Sequence, residues 1–378
     1  MKKKILTIGA YERDNFGDLL FYIITKKYLH GHMVVPGAVS SANMLDSIGE
    51  VVLPYPALME SSDWDVIWVV GGEIGQASTN AGIRMSITKK EEETYSGLSK
   101  KNQLALDESY SYDTKKTTIG YLPSSDSVGP STQVIVNSVG ISGLAFMPDW
   151  IRKPANKSLA KSLYVSVRDP ESSKYCRDLN IDADLTPDIV HTISRHYNVL
   201  PKPAILTDDY MVFQMSEELA KTMDISNLVK NLDAIAQKYK CSIVFFAAGT
   251  ANYHDNTDVY RNLITKLSCK TELFLDRNPI ELAGCISNSR MWIGTSLHGR
   301  IIAASYGVRR VSFVNNKVST YAKQWDETQP YNVEIKNLDS AVRNASLSSD
   351  KDLSRIADKL SQLADARAKS IVSKVIAI

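Results

Sequence analysis

The chain has 378 residues, of which 44% are hydrophobic and 23% charged, and its net charge is +2. That length exceeds what one growing core accommodates, so two domains are expected, and the composition excludes a chain disordered throughout. A charge this close to balance excludes a nucleic-acid-binding stripe or an acidic tail, so an anionic ligand has to be met locally.

The N-terminal MKKKILTIGA has a basic head, but its apolar run is cut short by Glu12, Arg13 and Asp14, too early for a signal peptide. No apolar stretch approaches the roughly 20 residues that span a bilayer. Cys176, Cys241, Cys269 and Cys285 show no CxxC spacing, which predicts thiols in a reducing compartment and neither a disulfide framework nor a zinc site. A soluble cytoplasmic protein is expected.

Short β-branched runs recur in chain order at 4–10, 65–72, 133–140, 163–169, 210–214, 242–249, 272–276, 291–296 and 310–314. Each precedes a turn and a helical pattern, the mark of parallel strands covered on both faces. The charged stretch 85–116 reads as a surface insertion, with an active-site lid as the sharper alternative. Pro201 and Pro203 place a domain junction near 196–206. From Asp350 onward, Leu353, Ala357, Leu360, Ala364, Ala368, Ile371 and Val375 recur at helical spacing, widened by Ile356 and Leu363.

The fold class is therefore α/β: two Rossmann-like, doubly wound domains facing a cleft, with a C-terminal helix. The expected division is 1–200, 201–335 and a helical tail over 336–378. Ligands of such sheets sit beyond the carboxyl ends of the strands, so residues just after strands are the functional candidates. After the first strand come Asn15, Gly17 and Asp18, where Asp18 suits either capping of a helix beginning near Leu19 or orientation of a hydroxyl. Gly71 and Gly72 follow the second run, without dinucleotide GxGxxG spacing. Asn137 and Ser138 end the third. Arg168 ends the fourth, where it pairs with a surface acid or holds a carboxylate or phosphate with its planar fork. His254 follows the sixth.

The stretch GTSLHGRIIAASYGV at 294–308 is the most informative. A helix starting at 297 presents N–H groups and the positive end of its dipole. Ser296, Leu297, His298, Gly299 and Arg300 add a hydroxyl, a proton carrier and a guanidinium there. This predicts an anion cradle.

NFGDLL, VVGGE, VSVRDPES with TPDIV, and GTSLHGRIIAASYGV, in this order, make the chain resemble the polysaccharide pyruvyl transferases over residues 5 to about 315. The resemblance implies a GT-B-type fold and transfer of a pyruvyl group from phosphoenolpyruvate to a sugar as a cyclic ketal, with release of phosphate. It implies no metal and no cofactor beyond the donor. The acceptor would be a lipid-linked or nucleotide-linked precursor of a cell-surface or exopolysaccharide, and peripheral membrane association is an open alternative. His298 would be the acid and Asp18 would orient a hydroxyl. Many relatives carry arginine two residues before the motif histidine; Ser296 stands there in this chain, and Arg300 is the expected substitute. The competing readings are a GT-B glycosyltransferase with a nucleotide-sugar donor, for which Glu281 is the ribose candidate, and a sugar- or phosphate-binding protein without turnover.

Overall fold

In the computed structural model, which describes residues 2–103, 105, 120–206 and 208–377, the nine apolar runs all form strands. They are β1 (Lys4–Ile8), β5 (Val66–Val70), β6 (Gln133–Val139), β7 (Tyr164–Val167), β9 (Tyr210–Phe213), β10 (Ser242–Phe246), β11 (Thr271–Phe274), β12 (Met291–Gly294) and β13 (Arg309–Ser312). Four further strands carry weaker patterns: β2 (Met33–Ala38), β3 (Ala42–Met44), β4 (Glu50–Pro54) and β8 (Asp184–Leu185). β2 escapes sequence patterning because Pro36 lies inside it. It is tolerated there because β4 pairs with β2 only from Gly37 onward.

The strands form two sheets. One has the order β3-β4-β2-β1-β5-β6-β7-β8, parallel except for β3 against β4; the other is fully parallel, β11-β10-β9-β12-β13. Each is Rossmann-like, with β1 and β9 flanked on both sides by strands that come later in the chain. In the second sheet, Phe213, Phe245, Ile293 and Val311 bury one face against Leu228, Leu232 and Ile235 of the helix Ile225–Tyr239. At about 25 cal/mol per Å², such aliphatic and aromatic burial is the main source of its stability.

The chain divides into two compact units, Met1–Ile189 with Ala364–Ile378, and Val190–Leu363. The proline loop expected as the junction lies inside the second unit, because it docks there: Asn288 Nδ2 donates to the Leu200 carbonyl at 3.1 Å, and a Cβ on Gly284 would meet the Pro201 carbonyl oxygen at 2.4 Å. The terminal segment is one helix, Asp350–Ala377, and contributes residues to both units. Its predicted stripe from Leu353 to Val375 is buried, but Leu363 is exposed and does not widen it. Of the charged insertion, Lys89–Ser96 is a helix closed by a capping box between Thr88 and Glu91; residues 104 and 106–116 lie outside those described. None of the helices described is long and apolar enough to cross a membrane.

Candidate functional site

Each unit carries a polar cluster at the carboxyl ends of its central strands. In the second unit, β12 ends at Gly294 and the helix Leu297–Ser305 begins three residues later. Ser296 caps that helix, its Oγ accepting the Gly299 N–H at 3.2 Å. Gly299 is required by packing: a Cβ there would lie 2.0 Å from the Trp292 indole. The turn is braced by Gln214, whose Oε1 accepts the N–H groups of Thr295 and Ser296 at 2.9 and 2.8 Å. Gln214 is itself fixed by Asp255, which accepts its Nε2–H at 2.7 Å and the Ala248 N–H at 2.7 Å. His298 therefore sits in the first turn of a helix whose start is locked in place, with 6% of its surface exposed. Leu297 is buried beside it. His254 is half-buried in the loop after β10, where its carbonyl accepts the Glu217 N–H at 2.8 Å.

The two arginines expected to grip an anion do not present their forks to solvent; each is 1% exposed. Arg300 donates to the carbonyls of Asp326, Gln329 and Pro330 at 2.9–3.0 Å and to Ser312 Oγ at 3.2 Å, and its Nε pairs with Asp326 at 2.8 Å. Burial pushes the Arg300 guanidinium down to about 10, against the pull of Asp326. Asp326 also accepts from Nε and Nη2 of Arg310, whose Nη1 donates to the Val308 carbonyl at 2.7 Å, and although burial opposes it, the two cations hold the Asp326 carboxyl below the usual carboxylate range. This arginine pair fastens the loop 326–330, so Arg300 is not the anion-binding substitute for Ser296 that was expected.

Arg168 is likewise internal. Its Nη1 donates to Asp188 at 2.9 Å and its Nη2 to Glu73 at 2.7 Å. One residue from each of VVGGE, VSVRDPES and TPDIV meets in this ion triad, in which Arg168 and Asp188 are buried and Glu73 is half-buried. Asn137 and Ser138 support the same strand ends. Ser166 Oγ donates to Asn137 Oδ1 at 3.0 Å and accepts the Ser138 N–H at 2.9 Å, while Ser138 Oγ accepts the Ile189 N–H at 3.1 Å. Ser138 has φ of 61°, a left-handed conformation that its buried hydrogen bonds hold in place.

At the end of β1 the helix begins at Phe16, and Asn15 caps it through the Gly17 N–H at 3.1 Å. Asp18 is not the cap. It lies in the first turn, near the favourable positive end of the dipole, and accepts from Arg13 Nε at 3.0 Å and Nη2 at 2.9 Å. A Cβ on Gly72 would lie 3.3 Å from Asp18 Oδ1, and one on Gly71 would strike the Phe21 ring at 2.3 Å. With φ of 67° and 79°, both positions require glycine. Next to Arg13, Glu12 is 4% exposed and hydrogen-bonded to the Tyr121 hydroxyl, and burial pushes its carboxyl up to about 7. Glu12, Arg13, Tyr121 and Gln214 were not among the sequence candidates. Glu12, Arg13 and Gln214 were marked by their place: polar residues within five positions of the end of a buried parallel strand.

Among the described residues, no group of three or more His, Cys, Asp or Glu is placed to hold a metal ion. The four cysteines are all thiols, and Cys285 and Cys176 are buried.

Comparison with known proteins agrees with this architecture. A family model described as polysaccharide pyruvyl transferase matches residues 105–317, more than half of the chain. A UDP-GlcNAc 2-epimerase of Methanocaldococcus jannaschii, in complex with UDP-GlcNAc and UDP, superposes with a TM-score of 0.54 at 12% identity, covering 93% of this chain and 94% of that one. The epimerase of Neisseria meningitidis bound to UDP-GlcNAc gives 0.53 at 11% identity, over 99% of each chain. An Anabaena protein in complex with UDP-glucose gives 0.54 at 10% identity, again over 99% of each. At these identities the likeness is one of fold, which is GT-B-like. No curated protein sequence matches the chain significantly.

Proposed function

Since this chain belongs to the polysaccharide pyruvyl transferase family, and is thereby a transferase, we propose that its donor is phosphoenolpyruvate. Its acceptor would be a sugar of a cell-surface or exopolysaccharide precursor, lipid-linked or nucleotide-linked. The product is a pyruvate ketal, made in the cytoplasm without a metal or further cofactor.

The observation that carries this reading is the braced turn 294–300. A donor with one carboxylate and one phosphate needs oriented N–H groups and a proton source held close together. A rigid helix start with the Leu297 and His298 N–H groups and the His298 ring in its first turn offers both. Because Arg168 and Arg300 are committed to acids of the protein itself, and the N–H groups of Thr295, Ser296, Gly299 and Arg300 donate to Gln214 or within the turn, donor binding is assigned to the N–H groups of Leu297 and His298, the Ser296 hydroxyl and the His298 ring.

In the proposed reaction His298 protonates the methylene carbon of the enol, which leaves a cationic centre at the carbon bearing phosphate and carboxylate. One sugar hydroxyl adds to that carbon and releases its proton; phosphate departs with its bridging oxygen; a second hydroxyl adds, releases its proton, and closes the ring. The products are the ketal and inorganic phosphate. Asp18, paired with Arg13, is assigned the acceptor hydroxyl.

The reading is tested by supplying phosphoenolpyruvate with lipid-linked and nucleotide-linked sugars while phosphate release is followed. Release is expected to require the acceptor and to vanish in His298→Ala. A second reading is favoured by the UDP-sugars bound in the structural neighbours: a nucleotide-sugar donor, with Glu281 in the first turn of the helix Pro279–Ser287 as the ribose ligand. Nucleotide release from a UDP-sugar, with no phosphate from phosphoenolpyruvate, is the result that selects it.

A further inference from the structure

Large apolar side chains exposed one at a time are ordinary; two in one short segment beside a basic helix are not. Phe146 is 91% exposed and Trp150 63% exposed. They end a 3-10 turn, Ser142–Phe146, and open the helix Asp149–Lys161. On that helix Ile151, Ala155, Ser158 and Leu159 face inward. At 100° per residue, Trp150, Lys153, Lys157 and Lys161 fall together on the opposite side.

The residues 145–161 contain Arg152, Lys153, Lys157 and Lys161 against the single acid Asp149. Asp149 pairs with Arg152 and with Lys153 at 3.0 Å, and Asp126, from outside the segment, lies 2.7 Å from Lys157 and 3.9 Å from Lys161. Two acids against four cations leave the face positive. Aromatic side chains projecting beside a lysine row match an interface whose outer layer is anionic and whose interior is apolar.

From these features we infer that Phe146, Trp150 and the lysine face of Asp149–Lys161 dock the protein on an anionic lipid bilayer. The segment follows directly from the carboxyl end of β6, the end of the first sheet at which Asp18, Gly71 and Gly72 lie. A docked bilayer would therefore present a sugar on a lipid carrier to that end of the sheet. The inference deepens the proposed function by selecting the lipid-linked acceptor, and only that selection rests on the pyruvyl-transfer reading.

Trp150 also supplies the probe. Trp64, Trp68 and Trp292 are buried and Trp325 is half-buried, so of the five tryptophans it is the one open to solvent. Adding phosphatidylglycerol vesicles to the full-length protein should shift tryptophan emission to the blue and carry the protein into the vesicle pellet. Phosphatidylcholine vesicles should do neither, and added salt should weaken the effect. The pair Phe146→Ser and Trp150→Ser, and separately Lys153→Glu with Lys157→Glu, should each lower vesicle affinity about tenfold or more.

Absence of pelleting with anionic vesicles overturns the inference, as does pelleting that the aromatic pair leaves unchanged. A wild-type dimer that the aromatic substitutions convert to monomer, without any vesicle binding, overturns it in favour of a self-association face. Vesicle binding is read without turnover, and activity on a nucleotide-linked sugar should be equal in all these variants, so docking and pyruvyl transfer fail separately.

Discussion

The two strand-end clusters use charge in opposite ways. In the second unit the arginine nearest the histidine is withdrawn into the scaffold. Arg300 and Arg310 share Asp326, and what remains at the helix start is backbone N–H, a serine cap and His298. In the first unit an ion pair stays at the strand end itself, Arg13 with Asp18, and beside it stands Glu12, a carboxyl that burial has moved up to about 7. The comparison teaches that a guanidinium in a motif is not by itself a ligand for substrate. What decides is whether a buried carboxylate is within reach, because an unpaired charge in the interior costs several kcal/mol.

The largest expected effect lies at the histidine. His298→Ala should lower kcat by about 10²- to 10⁴-fold while circular dichroism is unchanged; retained turnover would remove the second cluster from the chemistry and break the comparison at its centre. Next come the withdrawn arginines. Arg168→Met should destabilise the protein by about 3–5 kcal/mol in urea unfolding, since it leaves Asp188 buried without its cation, and Arg300→Met by about 1–3 kcal/mol, since Asp326 keeps Arg310 while the carbonyls of Asp326, Gln329 and Pro330 lose their donor. If either variant kept its stability and lost only donor affinity, that arginine would belong to the donor site after all.

A pH experiment sharpens the contrast on the other side. Glu12 has a folded pKa of about 7 against an ordinary value near 4.5, so between those values the native state holds a proton that the unfolded chain has released. Its contribution is fully present below pH 4.5 and is lost as pH rises through 7. Glu12→Gln should therefore raise unfolding free energy at pH 8 by roughly 1–3 kcal/mol and change it little at pH 4. Equal effects at both pH values would show that the carboxyl ionises normally. The smallest effect is expected at Ser296→Ala, about 1 kcal/mol of stability from the lost helix cap, measured by thermal unfolding. A much larger loss would mean that the hydroxyl supports more than the Gly299 N–H.

The site was legible in part. The turn 294–300, the Asn15–Asp18 turn and the two glycines were found because each follows an apolar run and contains residues with special backbone or proton chemistry. Gln214, Asp255 and Asp326 were not, because their partners are 82, 41 and 26 residues away at the most, and one-dimensional patterning has no signal for polar residues that meet across strands.

The sequence by itself determined the architecture. Runs such as VIWVV and SIVFF bury both faces, and this forces parallel strands with helical crossovers; small residues at 303–305 and the cap at Ser296 set the helix that follows β12. Tertiary structure alone decided the electrostatics. Whether Arg168 and Arg300 face a ligand or the interior depends on where Asp188, Glu73 and Asp326 arrive in space, and the energy of a charge is fixed by its neighbours and its depth from water, neither of which is a property of the residue's own position in the chain.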